Sequence, residues 1–498
     1  MSSNRRDFLR KTIIGAGLVT TGLSGISATL EKSGITKTLA GSDPRDSKKH
    51  VSRFNMSGYC APKLNVVRMG IIGLGDRGSG AVARMSYIDG VEIKALADKR
   101  EAAVKTSQSY LSGFGISKAA EYFGSEDVWK KMCERNDIDL IYICTPWALH
   151  TPMALYAMEH GKHVAVEVPA AKTLEECWQL VETSERTRKH CMMLENCCYD
   201  FFELLTLNMA RQGLFGELVH GEGAYLHNLL DMNFAKPADQ QQTDGAYTDM
   251  WRLKENFRNG NIYPTHGLGP ICQAMNVNRG DKMEYLTSMS SADFQMAAKA
   301  KELAAKDPFY NQFAGKSYRG NMNTSIIRTH KGRTIMIQHD VTSTQPYSRI
   351  HLLKGTKGLA QKWPSPERIS FSHEWLSDAE MKKLYDQYTP PIARKMGDMA
   401  KRVGGHGGMD FMMDWRLIDC LRNGLALDQD VYDAALWSSI SPLSEWSVAN
   451  RSNSIDVPDF TCGAWKTNKP VDLSLNGGGN TEVKELTKTG AAKQLEVH

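Results

Sequence analysis

A chain of 498 residues, 41% hydrophobic and 23% charged, is long enough for two or three domains with sizeable cores. Its net charge of +5 is slight for that length and its basic residues form no patterned run beyond the N-terminus, which sets aside a nucleic-acid partner. Ten cysteines (60, 133, 144, 177, 191, 197, 198, 272, 420 and 462) form no C-x-x-C pair and mostly sit among apolar neighbours, the pattern of free buried thiols with no legible metal site.

At the N-terminus, Arg5 and Arg6 precede Phe8-Leu9 and an uncharged run from Thr12 to Leu30. This is the pattern of a twin-arginine export signal over 1–40, cleaved near Leu39-Ala40, and it predicts a periplasmic or secreted protein. Glycines and hydroxyl residues keep the run too polar for an anchor, and no other long apolar segment follows, so no stable membrane span is expected after signal removal. The twin-arginine route carries proteins already folded in a reducing compartment, which suits free thiols and implies a cofactor bound before export.

Residues 41–62 are polar, with Gly, Pro and Ser, and read as a linker. A first domain over 63–195 begins with a buried-type strand, Val66 to Ile72, followed at once by Gly73-x-Gly75-x-x-Gly78 and a helical segment carrying Ala81, Val82, Ala83 and Met85. VEIKALADKR gives a second strand ending at Asp98. Turn glycines let the backbone approach a pyrophosphate at a helix N-terminus, and an acid at the end of the second strand accepts the ribose hydroxyls. Asp98 therefore favours NAD over NADP, with Lys99 and Arg100 pulling the other way. IDLIYICTPWALH forms a further strand and loop, Thr151 and Pro152 start a helix as N-cap and first-turn proline, Gly161 stops it, and HVAVEVPAA makes the next strand. That succession is a parallel βαβ unit, and with the glycine turn it predicts an α/β Rossmann domain. His160 and His163 flank Gly161 and are expected to cap helix carbonyls.

GLGDRG, CTPWALH and EVP together resemble the glucose-fructose oxidoreductase and inositol dehydrogenase family. The resemblance implies a second domain with an open, mostly antiparallel sheet for substrate binding and subunit contact, assigned here to 196–465, with a polar tail over 466–498. ELVHGEGAYLHN, EYLTSMSSADFQ, TSIIRTHKGRTIMIQHDVTST and RIHLLKGTKGLAQKW suit its strands, being β-branched, alternating and turn-bounded. The open face makes a homo-oligomer the expected assembly. Two positions depart from the dehydrogenase pattern: Val168 stands where the family's lysine is expected, and Ile262-Tyr263 stand where an aspartate precedes His266.

Those departures, with GEGAYLHN, the YPTHGLGP segment, QPYSR and GGHGGMD, resemble glycoside hydrolase family 109, whose characterised activity is α-N-acetylgalactosaminidase. The resemblance implies a redox-neutral cleavage in which NAD⁺ takes hydride from the sugar C3, the C2 proton and the aglycone leave, water adds, and the hydride returns. By the same resemblance His266 and Tyr263 are the catalytic pair. Tyr225, Arg252, Pro264, Thr265 and Tyr347 join them in contacting a small-molecule or glycan substrate, and Tyr199 is a further acid/base candidate. Cofactor contacts are implied at Gly73, Gly75, Asp76, Arg77, Gly78, Asp98, Cys144, Thr145, Pro146, Trp147, His150, Glu167, Val168 and Asn196. His406, between glycines, stays open as a pocket, metal-ligating or turn residue. The rival readings are a periplasmic NAD(P)-dependent sugar dehydrogenase on the same fold and an inactive sugar-binding protein with structural NAD.

Overall fold

The computed structural model describes residues 50–236 and 248–486. The segment 1–40 read as an export signal, the start of the linker and the end of the polar tail lie outside the described residues. The first sheet has six parallel strands: β1 (Val67–Ile72), β2 (Val91–Ala97), β3 (Ala120–Tyr122), β4 (Leu140–Ile143), β5 (His163–Val166) and β6 (Cys191–Met193), in the order β3-β2-β1-β4-β5-β6. Helices α1 (Asp76–Ser86), α2 (Glu101–Gly113), α3 (Val128–Cys133), α4 (His150–Glu159) and α5 (Leu174–Thr187) lie between these strands in the chain. Because helices cover both faces, β4 is buried along its whole length, which is why LIYI reads as an unbroken apolar run. The chain moves to opposite sides of β1 when it forms β2 and β4, and the crevice at that reversal is where such sheets bind ligands.

Local details differ from the sequence reading in two places. Thr151 does not cap α4, which starts one residue earlier after a short turn at Trp147–Leu149. Its Oγ1 instead donates to the Ala170 carbonyl at 2.9 Å, tying the helix to the chain beyond β5. His160 does contact a helix carbonyl, that of Tyr156, at 2.8 Å. His163 does not; it lies within β5, and its Nδ1 accepts from the His190 N–H at 3.1 Å.

After β6 come α6 (Phe201–Arg211), β7 (Leu218–Leu226), α7 (Trp251–Glu255), α8 (Thr265–Met275), β8 (Met283–Ser290), α9 (Met296–Ala304), β9 (Asn323–Thr329), β10 (Thr334–Asp340), β11 (Leu352–Gly355), β12 (Leu359–Gln361) and β13 (Arg368–Ser370). The chain closes with α10 (Asp378–Tyr388), α11 (Pro391–Val403), α12 (Met409–Asn423), α13 (Val431–Ala449) and β14 (Ile455–Asp456). The second sheet runs β13-β12-β11-β7-β10-β9-β8-β14; only β7 and β10 pair parallel, so it is the mostly antiparallel sheet expected.

The late helices return to the first sheet. α12 packs on α1 and β1, while α13 packs on α5 and β6 on one side and β8 on the other. Residues 50–62, the part of the linker that is described, are also docked: Arg53 N–H donates to Glu185 at 2.8 Å and Met56 N–H to the Tyr432 hydroxyl at 3.1 Å. Among the described residues no helix is long and apolar enough to cross a membrane.

Candidate active site

A cleft of about 1310 Å³ runs from the C-terminal ends of β1 and β4 to the second sheet, larger than a pocket for one small molecule. Its cofactor end is shaped by backbone. Gly73 has φ +83°, and a Cβ there would lie 2.5 Å from the Cys144 carbonyl oxygen. A Cβ on Gly78 would lie 1.8 Å from the Gly73 carbonyl, so Gly78 does not line the cleft but lets α1 close against the turn. Asp98 follows β2 and accepts N–H groups from Leu74 and Arg100, each at 2.8 Å. Two carboxylate oxygens have further lone pairs for ribose hydroxyls. Arg100 is paired with Asp98 and Lys99 with Asp249, so the two cations that weigh against NAD are both engaged by carboxylates.

Arg77 ties this end together. Its guanidinium donates to Glu167 at 2.8 Å and to Asp410 at 2.7 Å, and Asp410 also accepts from Asn196 at 2.5 Å. Burial alone would push the Asp410 carboxyl up, but Arg77 and Arg84 beside it hold it well below the usual range. Val168 is buried at the lysine position. The turn Cys144–Trp147 lines the cleft, and His150 behind it has its ring nitrogens 2.8 and 2.7 Å from the carbonyls of Pro169 and Thr145, which fixes the turn. Glycine turn, helix N-terminus and acid at the end of β2 fit a dinucleotide.

At the other end, His266 lies in the first turn of α8, directly after Tyr263-Pro264-Thr265. Its Nδ1 is 2.8 Å from one oxygen of Glu195 and its Nε2 is 3.4 Å from the Tyr263 hydroxyl. Glu195 is fully buried; burial would raise its pKa, but His266 and other donors keep it low, so it faces the imidazole as a carboxylate. The glycines of both motifs make this possible. A Cβ on Gly267 would lie 2.3 Å from the Ala224 nitrogen, one on Gly223 2.3 Å from the Gly267 carbonyl, and one on Gly269 2.9 Å from Glu195. Helix α8 thereby lies backbone to backbone on β7, and Tyr225 comes within 4.7 Å of the Tyr263 ring and 5.5 Å of His266. Trp147 from the cofactor turn stacks on Tyr263 at 5.4 Å, and the Arg252 guanidinium lies 5.3 Å from Trp147 and 5.4 Å from Tyr263. Arg252 sits on α7, which a separate small core of Phe234, Leu253, Met296 and Phe313 holds at the rim.

Tyr225, Arg252, Tyr263 and His266 thus line one wall. Pro264 caps α8, Thr265 is buried behind it, and Tyr347 sits behind the wall, 6.0 Å from Tyr225 and 5.1 Å from His227. Tyr199 is a structural residue: it is buried away from the cleft, with its hydroxyl on Asp428 at 3.3 Å. Sequence reasoning missed Glu195, although it directly precedes the predicted Asn196; a lone acid after a strand gives no periodic signal. It also missed Asp410, which lies in the quoted GGHGGMD. Glu195, Cys197 and His266 offer atoms within 4.8 Å of one another, a spacing a metal could use. Burial pushes the Cys197 thiol well up, which disfavours the thiolate a metal would need, and Nδ1 of His266 is already bonded to Glu195.

Residues 199–467 match the model for the glycosyl hydrolase 109 C-terminal domain, and residues 67–195 the oxidoreductase family's NAD-binding Rossmann fold. A glycosyl hydrolase family 109 protein of Shewanella pealeana is 47% identical over 95% of this chain and 99% of its own. An alpha-N-acetylgalactosaminidase of Shewanella oneidensis is 46% identical over 94% and 98%. Among solved structures, levoglucosan dehydrogenase in complex with NADH and levoglucosan superimposes with TM-score 0.57 at 16% identity, covering 79% of this chain and 100% of its own. Scyllo-inositol dehydrogenase from Lactobacillus casei gives 0.55 at 11%, covering 80% and 99%. At those identities the likeness is one of fold.

Proposed function

The chain belongs to glycosyl hydrolase family 109, and from that premise we propose that this glycoside hydrolase cleaves terminal α-N-acetylgalactosaminides by oxidation, elimination, addition and reduction with no net redox change. NAD, the cofactor of its Rossmann domain, supplies a hydride acceptor for the sugar C3 and later the donor that restores it. The observation that carries the reading is the Glu195–His266–Tyr263 series. Glu195 holds the proton on Nδ1, which leaves Nε2 as the basic nitrogen, and the Nε2–Tyr263 pair takes the proton of the C3 hydroxyl as that carbon becomes a carbonyl. The buried carboxylate then stabilises the imidazolium. A C3 carbonyl acidifies C2–H, whose loss expels the aglycone from C1; Tyr225, Tyr263, His266 and Arg252 are the groups that remove this proton and donate to the enolate oxygen.

Direct displacement needs two working carboxyl groups flanking the bond. Among the described residues, several acids near this site are already engaged: Glu167 and Asp410 by Arg77, Asp249 by Lys99 and Glu195 by His266. The test is hydrolysis of an aryl α-N-acetylgalactosaminide in D₂O with mass spectrometry of the product, beside a rate comparison using C2-deuterated substrate. Deuterium at C2 and a primary isotope effect are expected. Neither signal, with rates falling steeply as the leaving group worsens, would refute elimination, and stoichiometric NADH would identify a dehydrogenase.

Two further proposals extend this reading. The Arg5-Arg6 pair directs export, so replacing both by Lys keeps the enzyme in the cytoplasmic fraction. Copies associate through the outer face of the second sheet, where Tyr285, Met289 and Ile326 are exposed on adjacent strands. Met289→Asp is expected to lower the mass measured by light scattering, and an unchanged mass would remove that face from consideration.

A further inference from the structure

Residues 249–255, α7 with the two residues before it, carry three side chains of the second domain to the first, and they do so in sheet order. Asp249 pairs with Lys99, just after β2, at 2.6 Å. The Trp251 ring lies edge-on to Trp147, in the turn after β4, at 5.4 Å. Glu255 pairs with Lys172, beyond β5, at 2.6 Å. The sheet runs β2-β1-β4-β5 through this part, so one short segment follows its carboxyl edge across the crevice where such a fold seats a dinucleotide. Asp249, Trp251 and Arg252 line the cleft together with the glycine turn.

The two ends of this segment are held unequally. At the Glu255 end the carboxylate is only 7% exposed and takes a second cation, Arg258, which also pairs with Glu445 of α13. Met250 and Leu253 are buried in the small core at the rim. A buried, shared carboxylate is costly to unpair. At the other end the side chains of Lys99 and Asp249 are 41% and 68% exposed, so their pair is weak and salt screens it. Beside that weak tie, Asp249 and Met250 are consecutive left-handed residues, with φ of +58° and +53°. Residues with a side chain are strained there, and such strain concentrates at ligand clamps and switch segments. A firm anchor, an exposed tie and a strained joint next to the tie make a strap that opens at one end.

We propose that residues 249–255 are a strap that retains NAD, anchored by Glu255 and closed by the Lys99–Asp249 pair, so that the cofactor leaves when the Lys99 end opens. A cycle that returns its own hydride needs NAD to stay through many turnovers, whereas an exchanging dehydrogenase needs it to go. The inference rests on NAD binding by the first domain, and release is measured with no sugar present, so failure of the elimination mechanism leaves it standing.

The test loads the full chain with radiolabelled NAD, dilutes it into excess unlabelled NAD and follows the retained label by rapid gel filtration. Asn is at home in left-handed backbone, so Asp249→Asn removes the charge without adding strain. An exposed ion pair is worth about twofold to fivefold, and Asp249→Asn is expected to speed release by that factor. Lys99→Glu, which sets two carboxylates against each other, should speed it by about threefold to tenfold, and the double variant should fall back to the rate of Asp249→Asn. Added salt should quicken release from the unaltered protein, where it screens an attraction, and slow it from Lys99→Glu, where it screens a repulsion. Release from Asp249→Asn at the unaltered rate would overturn the strap. A double variant as fast as Lys99→Glu would overturn it too, because Lys99 would then be holding the cofactor itself.

Discussion

At the cofactor end of the cleft the determinants are Gly73, Gly75 and Gly78, within six residues of one another, and what the first two present is backbone, while the third lets α1 close on the turn. At the sugar end the determinants are side chains of Trp147, Glu195, Tyr225, Arg252, Tyr263 and His266, with β7 and α8 joined by the close approach of Gly223 to Gly267 and α8 set on Glu195 at Gly269. A backbone cradle binds by shape and is insensitive to most single side chains. A side-chain cluster handles protons, and each member's protonation depends on its neighbours. Changes at the two ends should therefore separate cofactor retention from turnover.

The largest expected effect is at the sugar end. His266→Ala and Tyr263→Phe should each lower turnover by about a hundredfold to ten-thousandfold while NAD still copurifies, measured by glycoside hydrolysis and by nicotinamide released on denaturation. Loss of NAD from folded variants would break the comparison, since it would make the segment part of the cofactor cradle.

Glu195→Gln keeps an acceptor for His266 Nδ1–H but removes the charge. A partner that orients and tunes a catalytic group typically contributes about tenfold to a hundredfold. The expectation is a fall of that size in kcat with KM little changed, and no further loss when combined with His266→Ala. An additive double variant would show that Glu195 acts on folding and not through the imidazole.

The two sheets also share one vulnerability to acid. Burial, with Lys189 adding to it, pushes His190 beside the first sheet down to about 4, and burial with Lys362 pushes His351 by the second sheet down to about 3. The unfolded chain binds these protons near pH 6.5 while the folded chain refuses them. Their contribution to stability is thus complete above pH 6.5, is lost as pH falls below it, and levels off near pH 4 for His190 and pH 3 for His351. Each ring costs about 1.4 kcal/mol per pH unit across its window. Calorimetry should show the melting temperature falling from pH 6.5 to 4, less steeply in His351→Gln; a flat profile would contradict the buried neutral rings.

The smallest effect is expected at Tyr347. It stands behind Tyr225, and Tyr347→Phe should raise KM by about twofold to tenfold, the range for one neutral hydrogen bond, with kcat nearly unchanged. A large fall in kcat would move Tyr347 into the proton-handling cluster.

Taken by itself, the sequence determined the elements whose causes are local. The apolar run from Val67, the glycine turn and Asp98 are set by sterics and hydrogen bonding within a short stretch, so the Rossmann domain and its cofactor were legible, as was the alternation of β7 to β10. YPTHGLGP could be recognised as a segment, but its glycines explain themselves only against Gly223, Ala224 and Glu195, which lie elsewhere in the chain. Thr151 carried the pattern of a helix cap, yet the Ala170 carbonyl offered its hydroxyl a partner outside the helix. Tyr199 sat beside Asn196 in sequence and turned inward to Asp428, because a buried hydroxyl goes where an acceptor awaits it. Glu195 is the clearest case of what tertiary structure alone decided. A single acid has no periodicity, and only the donors the fold sets around it, His266 foremost, keep Glu195 a carboxylate that orients an imidazole; the return of α12 brings Asp410 to Arg77 and His406. Backbone turns are written in neighbouring residues, whereas the charge state and aim of a buried side chain are fixed by whatever the fold packs against it.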